Sequence, residues 1–508
     1  MPITHRKVLI STIFAVLWTL YLPYASFADN LPDIGSSSES LMSPEDEKRL
    51  GKEFMRQVRH SLKLVDDITS NEYIQSLGEK LASQIDTRGQ TFTFFIVQDS
   101  TINAFAGPAG YIGIHTGLIE SAETEGELSS VIAHEIAHVV QQHLLRSLES
   151  SQNMSLATVG ALIAAIVLGS QAGGQVGEAV LASTVAGATQ QQLSYSRAHE
   201  QEADRVGIEM LARAGYNPND MAKFFEVLQQ KSRIGQHNIP EFLLTHPVTG
   251  SRIADTRGRA ASYHFKETAE TSHSGATTFE LVKARLTVLS EDRNEQKELV
   301  RSLEQSLAKS EKSNHVLLYK LALHHQQLGN YDRARQLLSE LRKSEPQRIA
   351  YVIASAENEI DSKNYQRAIE MLEEPILLYP DNPALTTLKA KALLMNNDAK
   401  TAMQVLQNQI RSGRYIPENY KMLASAAQKS GNISEAYEAL GNYYYALGET
   451  NTAIKHFEAA LQKTTKDKFR ELRLKAMIKQ LKGELVTNQS SDPKSGNYFD
   501  KPVPIVTQ

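Results

Sequence analysis

A repeating pattern in the second half of this 508-residue chain restricts its fold more than any other feature. Small, aromatic and proline residues recur at an interval of 34 residues, first as Ala322, Gly329, Tyr331, Ala334 and Pro346 and then as Ala356, Lys363, Tyr365, Ala368 and Pro380. The alanines return once more as Ala390 and Ala402. Such a period is typical of helix pairs that stack on one another, because a single pair cannot bury its apolar face.

The period and these positions resemble the tetratricopeptide repeat, an all-α superhelix, rather than a generic helical bundle. We expect about four repeats over 311-483, with an irregular register at Pro417, three residues later than the period predicts. The resemblance implies a groove that binds proteins or peptides. The charged segment 265-310 is expected to be a helical connector. The polar, proline-spaced segment 484-508 is expected to be a disordered tail.

The amino terminus has the pattern of an export signal. His5, Arg6 and Lys7 precede an apolar run over 8–22, and small residues follow shortly before position 29. This pattern predicts a cleavable signal peptide over 1-28, and a retained membrane anchor is the alternative. An exported chain without cysteine is typical of a bacterial cell envelope, since secreted eukaryotic proteins of this size usually carry disulfides.

The composition limits the chemistry of any active site. The absence of cysteine excludes a disulfide framework, a thiol nucleophile and a zinc finger, so any metal must be held by histidines and carboxylates. A net charge of −4 gives no reason to expect nucleic acid as a partner. The length alone predicts about three domains.

Two segments in the first half favour β-structure. Residues 91–97 are rich in β-branched and aromatic side chains, and residues 103–114 contain a glycine turn between two short apolar runs. We expect a small antiparallel sheet here, ahead of a helix over 125–145. The glycine-turn strands near Tyr111 could supply an edge to which an extended substrate adds as a further strand.

The helix over 125–145 contains the segment HEIAH, from His134 to His138. Residues four apart share a helix face, so His134 and His138 can both direct a ring nitrogen at one metal ion, with Glu135 beside them. Zinc suits imidazole ligands, and a carboxylate can take the proton of an attacking water. Two surface histidines on an amphipathic helix are the alternative, which the apolar flanking residues disfavour.

Residues 196–204, SRAHEQEAD, resemble the S-R-x-x-E-x-x-A-D element of the M48-type zinc metallopeptidases. This family includes the CAAX-prenyl, heat-shock membrane and mitochondrial inner-membrane proteases. The resemblance implies a zincin-like α+β domain over 43-264, in which Glu200 is the third zinc ligand and Asp204 supports the site. His199 is a rival ligand, although it points about 100° away from Glu200 on a helix.

Helical spacing is consistent with these roles, because Glu200 and Asp204 share one face. Asp204 can accept a hydrogen bond from a ligand histidine or pass a proton to the leaving amine. Glu202 is expected to be solvated.

Residues 244–253, LTHPVTGSRI, also resemble M48 domains, which commonly close with an H-P segment followed by an arginine. His246 could stabilise an oxyanion, fill the open position of zinc and hold the enzyme latent, or make only an N-cap-type turn contact. Arg252 could pair with Asp204 or bind the substrate backbone.

The apolar segment 154–190 is too short in its longest run to span a bilayer comfortably. Three interpretations remain open for it. It could pack beside the active site, make peripheral contact with a membrane surface, or act as a gate over the metal.

The order of a signal peptide, an M48 domain and a repeat array resembles periplasmic M48 proteases of Gram-negative bacteria that act in outer-membrane protein assembly. The resemblance implies one Zn²⁺ per chain, degradation of misassembled outer-membrane proteins, and chaperone-like assistance to their assembly. The implied partners are these unfolded proteins and the β-barrel assembly machinery, bound through the repeat groove. A scaffold with a latent peptidase centre and a zinc exopeptidase are the alternatives.

Overall fold

The computed structural model describes residues 43–149, 196–234, 240–265, 276–291, 296–309, 314–380, 382–413, 416–465 and 467–490. The predicted signal peptide and the apolar segment 154–190 lie outside the described residues. Within the described ranges, every helix is too short or too polar to cross a membrane.

The first half of the described chain consists of two helices, then three short strands, and then seven further helices. The helices are α1 (Pro44–Ser61), α2 (Ile68–Ala82), α3 (Thr116–Ser121), α4 (Glu125–Val140), α5 (His143–Glu149), α6 (Arg197–Arg213), α7 (Asp220–Ile234), α8 (Phe242–Thr245) and α9 (Gly250–Ala260). The strands are β1 (Thr93–Val97), β2 (Ala104–Ala106) and β3 (Tyr111–His115).

The three strands form a mixed sheet in the order β1-β3-β2. β2 folds back onto β3 as an antiparallel pair through a turn in which Gly110 has a φ of 76°. β1 lies on the other side of β3 and runs parallel to it. The prediction of an antiparallel sheet is therefore wrong for the β1–β3 pair. Of the two glycine-turn strands near Tyr111, β3 is central and β2 lies at an edge of the sheet, so the edge for an extended substrate stays a prediction at β2.

Helix α4 crosses the core beside this sheet. Its N-cap Thr124 accepts a hydrogen bond from the backbone N–H of Glu127, and the acidic first turn suits the positive end of the helix dipole. From Gly126 to His138 every side chain is buried. Apolar residues of α4 pack in one cluster with the sheet residues Ile96 and Ile112. The core therefore holds α4 rigidly.

Helix α6 packs closely against α4. Its N-cap Ser196 accepts a hydrogen bond from the backbone N–H of His199. A Cβ atom at Gly207 would lie 2.8 Å from the side chain of Met221 and 3.4 Å from the backbone nitrogen of His134. The first contact is with the flexible end of a side chain on α7, and the second is an ordinary van der Waals contact with α4. Gly207 and the fully buried Ala203 thus lie where α6 packs on α4, and their small size suits this close approach.

The second half of the described chain is entirely helical. A connector consists of α10 (Thr278–Ser290) and α11 (Gln296–Lys309). The repeat helices are α12 (His315–Gln327), α13 (Tyr331–Ser344), α14 (Ile349–Asp361), α15 (Tyr365–Leu378), α16 (Pro383–Met395), α17 (Ala399–Arg411), α18 (Pro417–Lys429), α19 (Ile433–Ala446), α20 (Thr450–Lys463) and α21 (Lys468–Ser490). The all-α array predicted from the 34-residue period is confirmed.

The repeat keeps its 34-residue period up to Pro417, and the last pair starts one residue earlier than this period predicts. The first helices of the successive pairs start at His315, Ile349, Pro383, Pro417 and Thr450. Pro417 corresponds to Pro383, which starts the preceding pair, and not to a proline between pairs. The predicted irregularity at Pro417 is therefore wrong. The described residues contain a fifth helix pair, one more than the about four repeats predicted.

The turn inside each of the first four pairs needs a left-handed residue. Gly329, Lys363, Asn397 and Gly431 have φ values of 78°, 65°, 63° and 80°. Glycine adopts this conformation freely, whereas other residues are strained there by about 1–2 kcal/mol. The second pair thus keeps the turn geometry although Lys363 replaces the glycine.

The last helix extends further than the sequence suggests. Helix α21 continues to Ser490, and Leu485 packs against the apolar cluster of the last helix pair. Residues 484–490 are thus helical rather than part of a disordered tail, because this apolar contact outweighs their polar composition. Residues 491–508 lie outside the described residues.

Candidate metal centre and active site

Four buried side chains converge between α4, α6 and the segment after α8. His134, His138, Glu200 and His246 each place one nitrogen or oxygen within 4.8 Å of the others. The Nε2 atoms of His134 and His138 are 3.0 Å apart. Each lies 3.5 Å from an oxygen of Glu200. The Nδ1 of His246 lies 3.0 Å from Glu200 Oε1 and 3.4 Å from His134 Nε2.

These separations fit the ligands of one tetrahedral ion. Metal–ligand distances of about 2.0–2.1 Å place neighbouring ligand atoms of a tetrahedron roughly 3.3 Å apart. Two imidazoles and a carboxylate are also costly to bury away from water, because their lone pairs lie close together. A cation among them would offset this cost. The donor set therefore suits a metal ion, with His134, His138 and Glu200 as protein ligands and His246 at the fourth corner.

The carboxylate of Glu135 lies beside the cluster. The side chain is completely buried, and its Oε1 is 3.5 Å from His246 Nε2. Burial raises the pKa of Glu135 above its ordinary value, while the neighbouring His246 and His134 oppose the rise. A buried carboxylate with a raised pKa holds a proton more readily than an exposed one, which suits a general base.

Asp204 orients the first histidine. Its Oδ1 lies 3.0 Å from Nδ1 of His134, so this nitrogen carries the proton and Nε2 keeps its lone pair for a metal. Burial opposes charge on His134, but Asp204 and Glu200 raise its pKa to about 9. The surroundings of this ring therefore favour positive charge, which a bound metal ion would supply.

Arg252 contacts two acidic residues of α6, Glu200 and Asp204. Its Nε and Nη2 donate to the two oxygens of Asp204 at 2.8 and 2.7 Å, and its Nη1 lies 2.7 Å from Glu200 Oε2. Burial works against ionisation of Glu200, yet His246 and the hydrogen-bonded histidines lower its pKa well below the ordinary value. Of the two sequence interpretations of Arg252, the contacts favour the ion pair with Asp204.

His246 is fixed by the turn that follows α8. Its backbone N–H donates to the carbonyl of Phe242 at 2.8 Å, and the two rings stack with centroids 4.7 Å apart. His246 thus makes a C-cap contact, rather than the N-cap-type contact considered from the sequence, together with the contact to Glu200.

Sequence reasoning missed one residue of the site, His143. The chain bends after α4 at Gln142, which has a φ of 54°, so His143 folds back towards His138. The Nδ1 atoms of the two histidines are 2.8 Å apart, and His143 Nε2 lies 3.1 Å from Glu202 Oε2. The only signal for this role is a third histidine shortly after HEIAH, because helical spacing does not cross the bend.

The contacts of His143 change the interpretation of two neighbours. Glu202 was expected to be solvated, but its side chain is only 29% exposed and pairs with His143 and Arg146. His199, the rival ligand, stacks on His143 with centroids 4.4 Å apart and lies outside the metal-binding group. Both belong to the surroundings of His138.

Replacing His143 with Gln is expected to weaken metal binding by about 10–100-fold, because outer contacts that orient a ligand histidine have effects of this size. Competition with a chromophoric chelator, measured on the purified full chain, gives the affinity directly. His60→Gln on the exposed face of α1 is the matched control and should leave the affinity unchanged. Equal affinities for both variants would contradict the role of His143.

Comparison with known proteins is consistent with this site and with the repeats. Residues 69–260 match the family model of peptidase family M48, and residues 319–360 and 359–414 match two tetratricopeptide-repeat models. The beta-barrel assembly-enhancing protease of Escherichia coli K12 is 32% identical over 482 residues, covering 94% of this chain and 96% of that protein.

Two other relatives extend the comparison. The beta-barrel assembly-enhancing protease of Yersinia pestis is 30% identical, over 89% of this chain and 92% of that protein. The bovine mitochondrial metalloendopeptidase OMA1 is 31% identical, but over only 31% of this chain and 30% of that protein. The resemblances seen in the sequence are therefore confirmed. The chain belongs to peptidase family M48, within the group of the beta-barrel assembly-enhancing proteases, and is a metalloendopeptidase with a tetratricopeptide-repeat array.

Proposed function

We propose that the chain is a zinc-dependent endopeptidase that cleaves extended polypeptides in the bacterial periplasm. The observation that carries this proposal is the convergence of His134, His138 and Glu200 beside the buried carboxylate of Glu135. Nitrogen and oxygen ligands at tetrahedral separations, in a chain without cysteine, favour zinc. When bound, zinc would polarise a substrate carbonyl and lower the pKa of water to about 7.

The protein side chains have separate roles in this proposal. Glu135 accepts a proton at its carboxylate and later returns it to the leaving amine. Asp204 keeps the Nδ1 proton of His134, and Arg252 holds Asp204 and Glu200 in position. The buried setting of all these groups excludes bulk water from them and so strengthens their electrostatic interactions.

The edge strand β2 is the best candidate for a substrate contact. Within the described residues, β2 pairs only with β3, so its other edge is open. Helix α4 packs against β2, and the nearby backbone of Ala106 acts to lower the pKa of Glu135, against the larger effect of burial. An extended segment that adds to β2 would thus pass the catalytic carboxylate. Unfolded β-barrel polypeptides, which are rich in strand-forming segments, suit this mode.

The relatives named beta-barrel assembly-enhancing protease support the cellular part of the proposal. The chain is exported to the periplasm of a Gram-negative bacterium by a cleavable signal peptide over 1-28. There it degrades misassembled outer-membrane proteins, while the repeat array over 311-483 docks on the β-barrel assembly machinery and assists assembly.

A second function is favoured by the position of His246. Its Nδ1 occupies the corner that a substrate or water would need, 3.4 Å from His134 Nε2. A centre closed in this way is latent until the segment after α8 moves. The chain would then act mainly as a scaffold or chaperone and cleave only on demand. A zinc exopeptidase is the remaining alternative.

Cleavage mapping tests the proposed activity. Incubation of the full chain with an unfolded outer-membrane β-barrel polypeptide should yield fragments with internal ends, as mass spectrometry can show. Removal of metal with a chelator should slow cleavage by at least about 100-fold, since a metal contributes several kcal/mol to such transition states. Zinc should restore the rate. Release of terminal residues alone would contradict an endopeptidase, and chelator-resistant cleavage would contradict the metal.

A further inference from the structure

A pocket rich in positive charge lies between α13, α14 and α15 of the repeat array. Its volume is about 220 Å³. Arg335, Arg342, Lys343 and Arg367 line it, and Glu359 is the one acidic residue among its lining side chains in the described chain. The pocket thus has four positively charged side chains and one carboxylate. Its lining residues belong to the repeat array and not to the peptidase half of the chain.

The single carboxylate is already engaged. Glu359 accepts two hydrogen bonds from Arg335, at 2.7 and 3.0 Å, and its Oε1 lies 3.5 Å from Arg367 Nε. Among the described residues, the Nε of Arg342 is buried and has no hydrogen-bond partner. Burial and the nearby charge of Arg367 lower the pKa of Arg342, and Glu374, outside the pocket lining, only partly opposes them. The pocket therefore has donors and positive charge that the protein itself does not satisfy.

The same pocket contains a buried hydrogen-bond acceptor without a partner among the described residues, the side-chain oxygen of Asn358. Asn358 lines the pocket, is only 1% exposed, and donates from Nδ2 to the carbonyl of Tyr331 at 3.2 Å. Its buried Oδ1 has no hydrogen-bond partner in the described parts of the chain. A buried amide oxygen without a donor is costly. The pocket thus combines free donors for an anion with a free acceptor for an N–H group.

We propose that this pocket binds a carboxylate of an acidic peptide segment from a partner protein. Arg342 and Arg367 donate to the carboxylate, for which guanidinium geometry is well matched. Asn358 accepts a backbone N–H of the same segment. A phosphodiester would offer no such N–H, and 220 Å³ is too small for a nucleotide with its neighbours. The site is independent of the peptidase centre and of the cleavage activity proposed above.

Fluorescence anisotropy with short labelled peptides tests this site. The full chain carries Glu135→Gln so that the probe is not cut. One probe is a glycine-serine hexapeptide that ends in two aspartates with a free carboxyl terminus. A second has one internal aspartate and an amidated end, and a third is uncharged. We expect the first two to bind and the third to bind at least about tenfold more weakly.

Matched variants locate the binding. Arg342→Gln combined with Arg367→Gln should weaken binding of the acidic probes at least about tenfold, whereas Arg333→Gln, on the same helix but outside the pocket, should not. Arg342→Lys should retain part of the affinity. Circular dichroism checks that each variant is folded. Equal binding by the double variant and the control would overturn the proposal, as would competition by inorganic phosphate as strong as competition by succinate.

Discussion

Replacement of Glu135 with Gln is expected to lower kcat for internal peptide-bond cleavage by about 10²–10⁴-fold while leaving metal affinity nearly unchanged. The amide keeps the size of the side chain but cannot accept a proton. His134, His138 and Glu200 keep their positions, because each is held by neighbours other than Glu135. The rate is measured with a quenched fluorescent peptide, and bound metal by elemental analysis of the purified variant.

Glu209→Gln is the matched control for this variant. Glu209 lies on α6, its side chain is 40% exposed, and it pairs with Arg213 on the surface. Its replacement should leave the rate within about twofold of the native value, since surface changes have small effects. A Glu135→Gln protein that cleaves at the native rate would remove Glu135 from the mechanism. One that still fully supports outer-membrane assembly in cells would show that the scaffold function is the main one.

Most residues of the buried cluster can be recognised in the sequence because they lie on two regular helices. Residues four apart share a face, so HEIAH on α4 and the spacing of Glu200 and Asp204 on α6 already indicate two converging faces. His143 follows a left-handed residue at Gln142, and a pattern read with helical periodicity cannot cross such a bend. His246 becomes part of the group only through the packing of α8 and Phe242.

The fold shows a similar division between local and long-range information. The 34-residue period gives the repeats because each helix pair packs mainly on its neighbours. The sheet is different, since β1 and β3 pair although they are separated by β2 in the chain. Strand propensity indicates that these segments are extended but not which neighbour each one takes. The prediction for Pro417 is wrong for a related reason. In this array a proline can lie between two helix pairs or at the start of a pair, and the sequence alone does not distinguish the two positions.

A buried ion cluster joins the peptidase half of the chain to the repeats. Arg285 of α10 donates from Nε and Nη2 to Asp67, the N-cap of α2, at 2.6–2.9 Å. The same guanidinium donates to both oxygens of Glu357 on α14, at 2.7 and 2.8 Å. Arg285 is 6% exposed, so water contributes little to its solvation. One side chain thus links α2, the connector and the second helix pair.

Replacement of Arg285 with Leu is expected to lower the free energy of unfolding at pH 7 by about 3–5 kcal/mol, because Asp67 is left buried without its counter-charge. Chemical denaturation followed by circular dichroism measures this change. Arg259→Leu is the control. The Arg259–Asp255 pair has a similar distance of 2.8 Å, but its side chains are 44% and 42% exposed, so its loss should cost less than about 1 kcal/mol.

The pH dependence separates an electrostatic cause from a simple packing defect. In the native protein, burial raises the pKa of Asp67, but Arg285 and Ser70 lower it overall. A carboxyl group with a lowered folded pKa contributes stability above its unfolded pKa of about 3.9 and loses that contribution as the pH falls below it. In the Leu variant, burial is opposed only by the hydrogen bonds from Ser70, so the folded pKa of Asp67 is expected to rise and the variant to lose stability as the pH rises from about 4 towards 7. The difference between the two proteins should therefore be largest at pH 7 and shrink towards pH 4. A difference that stays constant over this range would assign the effect to lost packing of the arginine stem instead of to the stranded carboxylate.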